Sequence, residues 1–211
     1  MKTLKLIFAT ALALMVAQVS YGQGTITGSP HNFTAATWNS GQLCKPCHTP
    51  HNAMDPAFKP LWNHTVSAQA FVIYASGIGT TMDATVGAPD GSSLMCLGCH
   101  DGTTALNAFG GAPAGAAVLM AAGPNNLGLN LSNDHPVSFV YNDALATADG
   151  ALFAPTTTAS GLGGTITAKM LDASSKVQCA SCHNPHGVAG ITKFLRKTNA
   201  GSALCMTCHN K

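Results

Sequence analysis

Glutamate is absent from this chain, and its acidic groups are eight aspartates set against ten lysines and arginines. Without Glu, the carboxylic acid most often tuned for proton transfer is unavailable as a general acid. No Ser-His-Asp set, phosphate loop or flavin fingerprint takes its place. Charged residues are only 9% of the 211 positions, and no block of basic residues is present. This excludes an electrostatic footprint for nucleic acid or an anionic membrane surface. Lys193, Arg196 and Lys197 are the nearest approach to a basic cluster, and they read as a solvated face. Beyond the first residues no apolar run is long enough to span a bilayer, so the mature form has no membrane span.

Those first residues read as a secretory leader. Lys2 and Lys5 supply the charged start, and Leu6 to Val19 form an apolar stretch too short for a comfortable span. Ser20 and Gly22 are the small residues a signal peptidase reads, which places cleavage after Gly22; the alternative is a retained N-terminal anchor. Removing residues 1–22 takes two lysines from the ten basic residues and leaves eight against eight aspartates. The mature side chains are therefore formally neutral.

No cysteine stands outside one repeated pattern. Cys44-Lys-Pro-Cys47-His48, Cys96-Leu-Gly-Cys99-His100, Cys179-Ala-Ser-Cys182-His183 and Cys205-Met-Thr-Cys208-His209 use all eight. C-x-x-C-H is the attachment signature of a c-type haem. Two thiols three positions apart reach the two vinyl groups of one porphyrin, and the next histidine is the proximal iron ligand. A disulfide framework or two Cys₄ zinc sites would also use eight cysteines, but neither explains a histidine after every second cysteine. The chain reads as a tetrahaem cytochrome with four covalently bound haem c groups, whose propionates make the holoprotein acidic.

Four proximal ligands leave His31, His51, His64, His135 and His186 as candidates for the distal positions, one more than four bis-histidine haems require. The methionines then read as soft packing against porphyrin rather than as ligands. His51 and His186 each follow a proximal histidine by three residues with a proline between, in His48-Thr-Pro-His51 and His183-Asn-Pro-His186. Such a segment is less than one helical turn and bends at the proline. Neither histidine can reach the far face of the neighbouring haem, so each must serve a different one. Trp62 beside His64 reads as a haem-wall aromatic next to a ligand.

The expected fold is that of a multihaem cytochrome c. It should show mostly irregular loops with short helices around a chain of closely packed haems, and little sheet. The macrocycles supply much of the hydrophobic core and the polypeptide wraps them. Residues 23–211 form one domain. Recurrence of the C-x-x-C-H-x-P-H pattern suggests two two-haem units, 41–101 and 176–211, joined by a Gly/Ala/Thr-rich haem-free stretch at 102–175 that reads as loop coating.

With both axial positions filled, no iron is left open for a substrate, so the chain reads as an electron-transfer protein and not an enzyme. Three combinations of motifs carry a more specific resemblance. The first is Gly24-Thr-Ile-Thr-Gly-Ser-Pro-His31-Asn-Phe with Cys44-x-x-Cys-His-Thr-Pro-His51-Asn. The second is Pro60-Leu-Trp-Asn-His64 with Cys96-Leu-Gly-Cys-His-Asp-Gly and Asp134-His-Pro-Val. The third is Cys179-x-x-Cys-His-Asn-Pro-His186-Gly with Cys205-x-x-Cys-His. Together they resemble the OmcE-type tetrahaem cytochromes, a family of extracellular cytochrome nanowires. The resemblance implies a homopolymer with continuous stacked haems. It would take electrons from periplasmic or outer-membrane cytochromes and pass them to extracellular acceptors such as metal oxides. It also implies export to the cell surface, with the periplasm as the alternative. Nanowire cytochromes can donate an axial histidine between subunits, and His51 is read as that ligand, toward a neighbour's fourth haem, with His31 as runner-up. A monomeric periplasmic carrier and, less favoured, a terminal reductase of metals or oxyanions remain as alternatives.

Overall fold

The computed structural model describes residues 26–53, 61–74, 82–111, 113 and 115–211. The leader at 1–22, with its cleavage point, lies outside them, as do Met54 and Pro60. Among the described residues most of the chain is turn and loop, with short helices and one two-stranded sheet. This is the low regular structure expected. No helix among them is long and apolar enough to cross a membrane.

The longest helix, α1 (Gly91–His100), carries the whole second motif. Glycine is required inside it at position 98, where an added Cβ would sit 2.5 Å from the Thr65 carbonyl oxygen. The close approach lets the 63–66 segment lie directly on the motif. Downstream come β1 (Phe139–Val140), α2 (Asp143–Asp149) and α3 (Ile166–Met170). Asn142 caps α2 by accepting from the Leu145 amide at 2.8 Å, and Gly150 ends it in a left-handed conformation (φ 71°). Thr165 caps α3 through the Ala168 amide. β2 (Lys176–Val177) pairs antiparallel with β1, Phe139 opposite Val177. It leads straight into α4 (Cys179–Cys182), the third motif. The fourth motif lies in a 3₁₀ turn, Cys205–Thr207.

The side-chain core sits in the stretch expected to be loop coating. Phe139, Tyr141, Ala146, Ile166, Met170, Val177 and Leu204 pack together, and Cys182 and Cys208 lie against them. Ile166 and Met170 are four residues apart on one face of α3 and are almost fully enclosed. The two C-terminal motifs are thus mounted on a small core of ordinary side chains.

A polar junction joins α1 to α4. The buried Gln178 donates through Nε2 to Asp90 (2.8 Å) and Asp172 (2.9 Å), and its Oε1 accepts from Ser93 (2.6 Å) and Ser138 (3.1 Å). All four hydrogen-bonding positions of the amide are satisfied, which is what makes its burial tolerable. Ser93 Oγ also accepts from the Cys179 amide at 3.0 Å, tying the second motif to the third.

Candidate haem sites

Each motif closes a single helical turn. The histidine amide donates to the carbonyl of the first cysteine in His48→Cys44 (2.8 Å), His183→Cys179 (2.9 Å) and His209→Cys205 (3.0 Å), and the second motif lies within α1. Positions i, i+3 and i+4 share one face of such a turn, so both thiols and the imidazole are directed the same way. That is the arrangement covalent attachment at two points and ligation at a third requires.

The imidazoles are oriented by backbone carbonyls. His100 Nδ1 lies 2.7 Å from Asn125 O, His183 Nδ1 3.0 Å from Lys193 O, His31 Nδ1 3.1 Å from Pro185 O and His135 Nδ1 2.9 Å from Pro136 O. An Nδ1–H donated in this way leaves the Nε2 lone pair for a metal. His64 is different. It is buried, its Nδ1 lies 2.8 Å from Thr65 O, and its Nε2 faces both Leu106 O (3.3 Å) and Cys99 Sγ (3.4 Å). Burial pushes its pKa down, against the raising effect of those carbonyls. Neither nitrogen is left facing open space.

Three motif histidines stand near a second imidazole. Ring centres are 6.0 Å apart for His48 and His186, 6.2 Å for His31 and His100, and 6.3 Å for His135 and His209. Two imidazoles on opposite sides of one metal, each at about 2 Å from it, put their ring centres roughly 6 Å apart. The three pairs have that spacing, with ring planes inclined at 13°, 56° and 77° respectively. A second sign of fit lies at the first motif, where the buried Trp62 Nε1 has no hydrogen-bond acceptor among the described residues and the indole packs edge-on to His48 (6.3 Å). A group bearing carboxylates would supply one. Among the described residues no second imidazole faces His183. His51 is exposed, on the turn after the first motif.

The thiols report how the motifs sit together. Burial pushes Cys47 up to about 11, Cys99 to about 12 and Cys208 to about 11, which keeps them protonated and apolar. Cys96 of the second motif and Cys179 of the third lie close enough for their thiols to interact, which pulls Cys179 down and pushes Cys96 up. The attachment edges of these two sites consequently adjoin. An apolar cleft lined by Leu97, Leu131, Val137, His135 and Cys179 continues from that junction toward the His135–His209 pair.

The basic cluster departs from the expected solvated face. Lys193 is exposed, but Arg196 and Lys197 are half-buried and turned into the motifs. The Arg196 guanidinium donates to the carbonyl oxygens of Lys169 and Ala180, the latter inside the third motif. Lys197 Nζ donates to Thr207 Oγ1, inside the fourth, at 2.8 Å. The only hint in the sequence is that two cations stand side by side between two haem motifs. The part played by Gln178 has no sequence signal at all.

When bound, haem supplies one-electron chemistry at iron. This chain's contribution would be to anchor the group through paired thiols, hold His31, His100, His135 and His183 by Nδ1, and set the surrounding charge and dielectric. The family model described as Doubled CXXCH motif matches residues 173–211, the third and fourth motifs with their lead-in. No curated protein matches the chain. The match indicates covalently bound haem c and supports a multihaem c-type cytochrome, a class of proteins that typically carry electrons and are exported.

Proposed function

We propose that this chain is an electron-transfer cytochrome with four haems, one on each C-x-x-C-H, that polymerises into an extracellular filament for respiration. The observation that carries the haem reading is the set of three neighbouring imidazole pairs at 6.0–6.3 Å, each joining a motif histidine to one outside any motif. His186 serves the first haem, His31 the second and His135 the fourth. His51 is then the histidine for the third, and the expected transfer between subunits shifts from a neighbour's fourth haem to its third. His64 is the surplus histidine, buried with its Nε2 packed against Leu106 O and Cys99 Sγ. Low charge and exposed apolar side chains such as Leu61, Val72 and Leu119 support self-association. Electrons would come from periplasmic or outer-membrane cytochromes and leave to acceptors such as metal oxides.

Intact mass should show four attached haems, and visible and EPR spectra should show low-spin iron throughout. Microscopy of the secreted fraction should show filaments, and His51→Ala should shorten them and turn one iron high-spin. Monomers with wholly low-spin iron would favour a periplasmic carrier. A lasting high-spin iron in intact wild-type assemblies would favour a reductase, with the third haem as its site.

A further inference from the structure

In a chain so poor in charge, the few fixed charges beside the motifs stand out, and they differ in sign from one motif to the next. Asp101 follows His100 directly and is 1% exposed. Its carboxylate accepts from the Thr103 and Thr104 amides and the Thr104 hydroxyl, all at 2.8 Å, and from the Ser67 hydroxyl. Every one of these donors is neutral, so the negative charge is solvated but not cancelled.

Lys197 is the counterpart at the other end. Arg196 N donates to Cys182 O at 2.9 Å, and Leu195 pairs with His183 across an isolated bridge. The chain is thereby fixed along the third motif and delivers residue 197 to the fourth. Lys197 Nζ donates to Ser160 O (3.2 Å) and to Thr207 Oγ1, while Thr207 gives its own proton to Ala203 O at 3.0 Å. Its hydroxyl is thus free to accept the ammonium hydrogen bond. Gly161, at φ +73°, leaves the space, since a Cβ there would stand 3.0 Å from Nζ. Asp149 and Lys211 also act on His209, with opposite signs. Among the described residues Lys197 meets no carboxylate. The one ion pair among the described residues, Lys176–Asp90, lies at the head of α1.

We propose that Lys197 is a fixed positive charge that raises the reduction potential of the haem on the fourth motif, and that Asp101 lowers that of the haem on the second. The chain would then contain a potential step from its second to its fourth site. Reduction adds an electron, so a held cation favours the reduced state and a held anion opposes it. Partial burial keeps salt from screening either charge fully. The inference rests on the four-haem reading above.

The test is a redox titration of the holoprotein followed by NMR, in which the haem methyl signals separate the four sites. Lys197→Met should lower the fourth potential, so that at the wild-type midpoint the reduced-to-oxidised ratio falls about tenfold, or ~59 mV. Lys197→Arg, which keeps the charge and a donor, should restore it. Asp101→Asn should raise the second potential and leave the fourth in place; if that variant does not fold, the lysine pair decides. An unmoved fourth midpoint in Lys197→Met, or equal shifts in the Met and Arg variants, overturns the inference. Wild-type protein without a haem on the fourth motif overturns the four-haem reading and this inference together. Four haems with unmoved midpoints overturn this one alone.

Discussion

Between Phe139 and Val177 the chain buries Phe139, Tyr141, Ile166, Met170 and Val177 in one apolar cluster, whereas between Asn39 and Asn107 much of what it buries is polar. Asn39, Asn63, His64, Ser67, Ser93, Asp101 and Asn107 are all enclosed there. Most are spent on backbone partners: Asn63 Nδ2 donates to Lys45 O at 2.6 Å, and Asn107 Nδ2 to Ala116 O at 3.0 Å. Hydrogen bonds of this kind fix positions but contribute little net free energy, while apolar burial contributes most of it. On the four-haem reading, the region of the first two motifs is specified by its protein contacts and would draw its stability from its haems. The region leading to the third and fourth motifs has a core of its own.

The largest effect expected from this difference is seen when haem is withheld. In chain made without haem attachment, hydrogen exchange should protect the amides of 139–177 and leave those of 41–53 and 61–67 unprotected. Equal protection in both regions would remove the distinction. Within the self-cored region, Ile166→Ala should cost about 2–5 kcal/mol, because it opens a cavity at the centre of a small cluster. Thermal unfolding of the holoprotein should show it, with the spectrum of the first two haems least disturbed.

In the polar region the sensitive point is contact rather than cavity. Gly98→Ala drives a Cβ into the Thr65 carbonyl, which is backbone and cannot swing away. Overpacking of this kind costs about 1–3 kcal/mol, and it should act locally, separating His64 and the 63–66 segment from α1. NMR or EPR of the second haem should change while the fourth stays as it was. A uniform change across all four haems would mean that the two regions are one cooperative unit.

What could be read from sequence follows the range over which each feature is determined. The motifs were legible because i, i+3 and i+4 meet within one turn, whatever the rest of the chain does. The prevalence of loops was legible from Gly, Pro and Thr. The pairing of His48 with His186, or of His31 with His100, depends on how distant segments dock, and spacing carries no trace of that. The core at 139–177 was hidden for another reason. Its elements are two to seven residues long, too short for hydrophobic periodicity to register, and they sit in a background of Ala, Gly and Thr. Lys197 shows the same limit on a single residue: its partner Thr207 and the space left by Gly161 exist only once the chain is folded.

The smallest expected effect concerns the ion pair at the seam between the two regions. Lys176, on β2, donates to Asp90 at the head of α1. Both side chains are partly exposed, at 27% and 45%, so water screens the pair and its worth is below about 1 kcal/mol. Burial opposes the charge on Asp90, but hydrogen bonds from Lys176 and Gln178 outweigh it and hold the carboxyl below its ordinary value. The hydrogen bond to Asp90 raises Lys176. A carboxyl lowered by folding stabilises fully above its unfolded pKa, about 4, and loses that contribution as pH falls through the folded value. An amine raised by folding contributes fully below about 10.4 and loses it as pH climbs through the raised value. The seam should therefore be tightest across the whole range between and loosen at both ends. Lys176→Met should remove the alkaline loss and reduce the acid one, since Gln178 still donates to Asp90. The melting temperature should fall by no more than a few degrees at neutral pH and respond less to added salt than in the wild type. A fall as large as that of Ile166→Ala would mean that the seam, and not the apolar cluster, holds the two regions together.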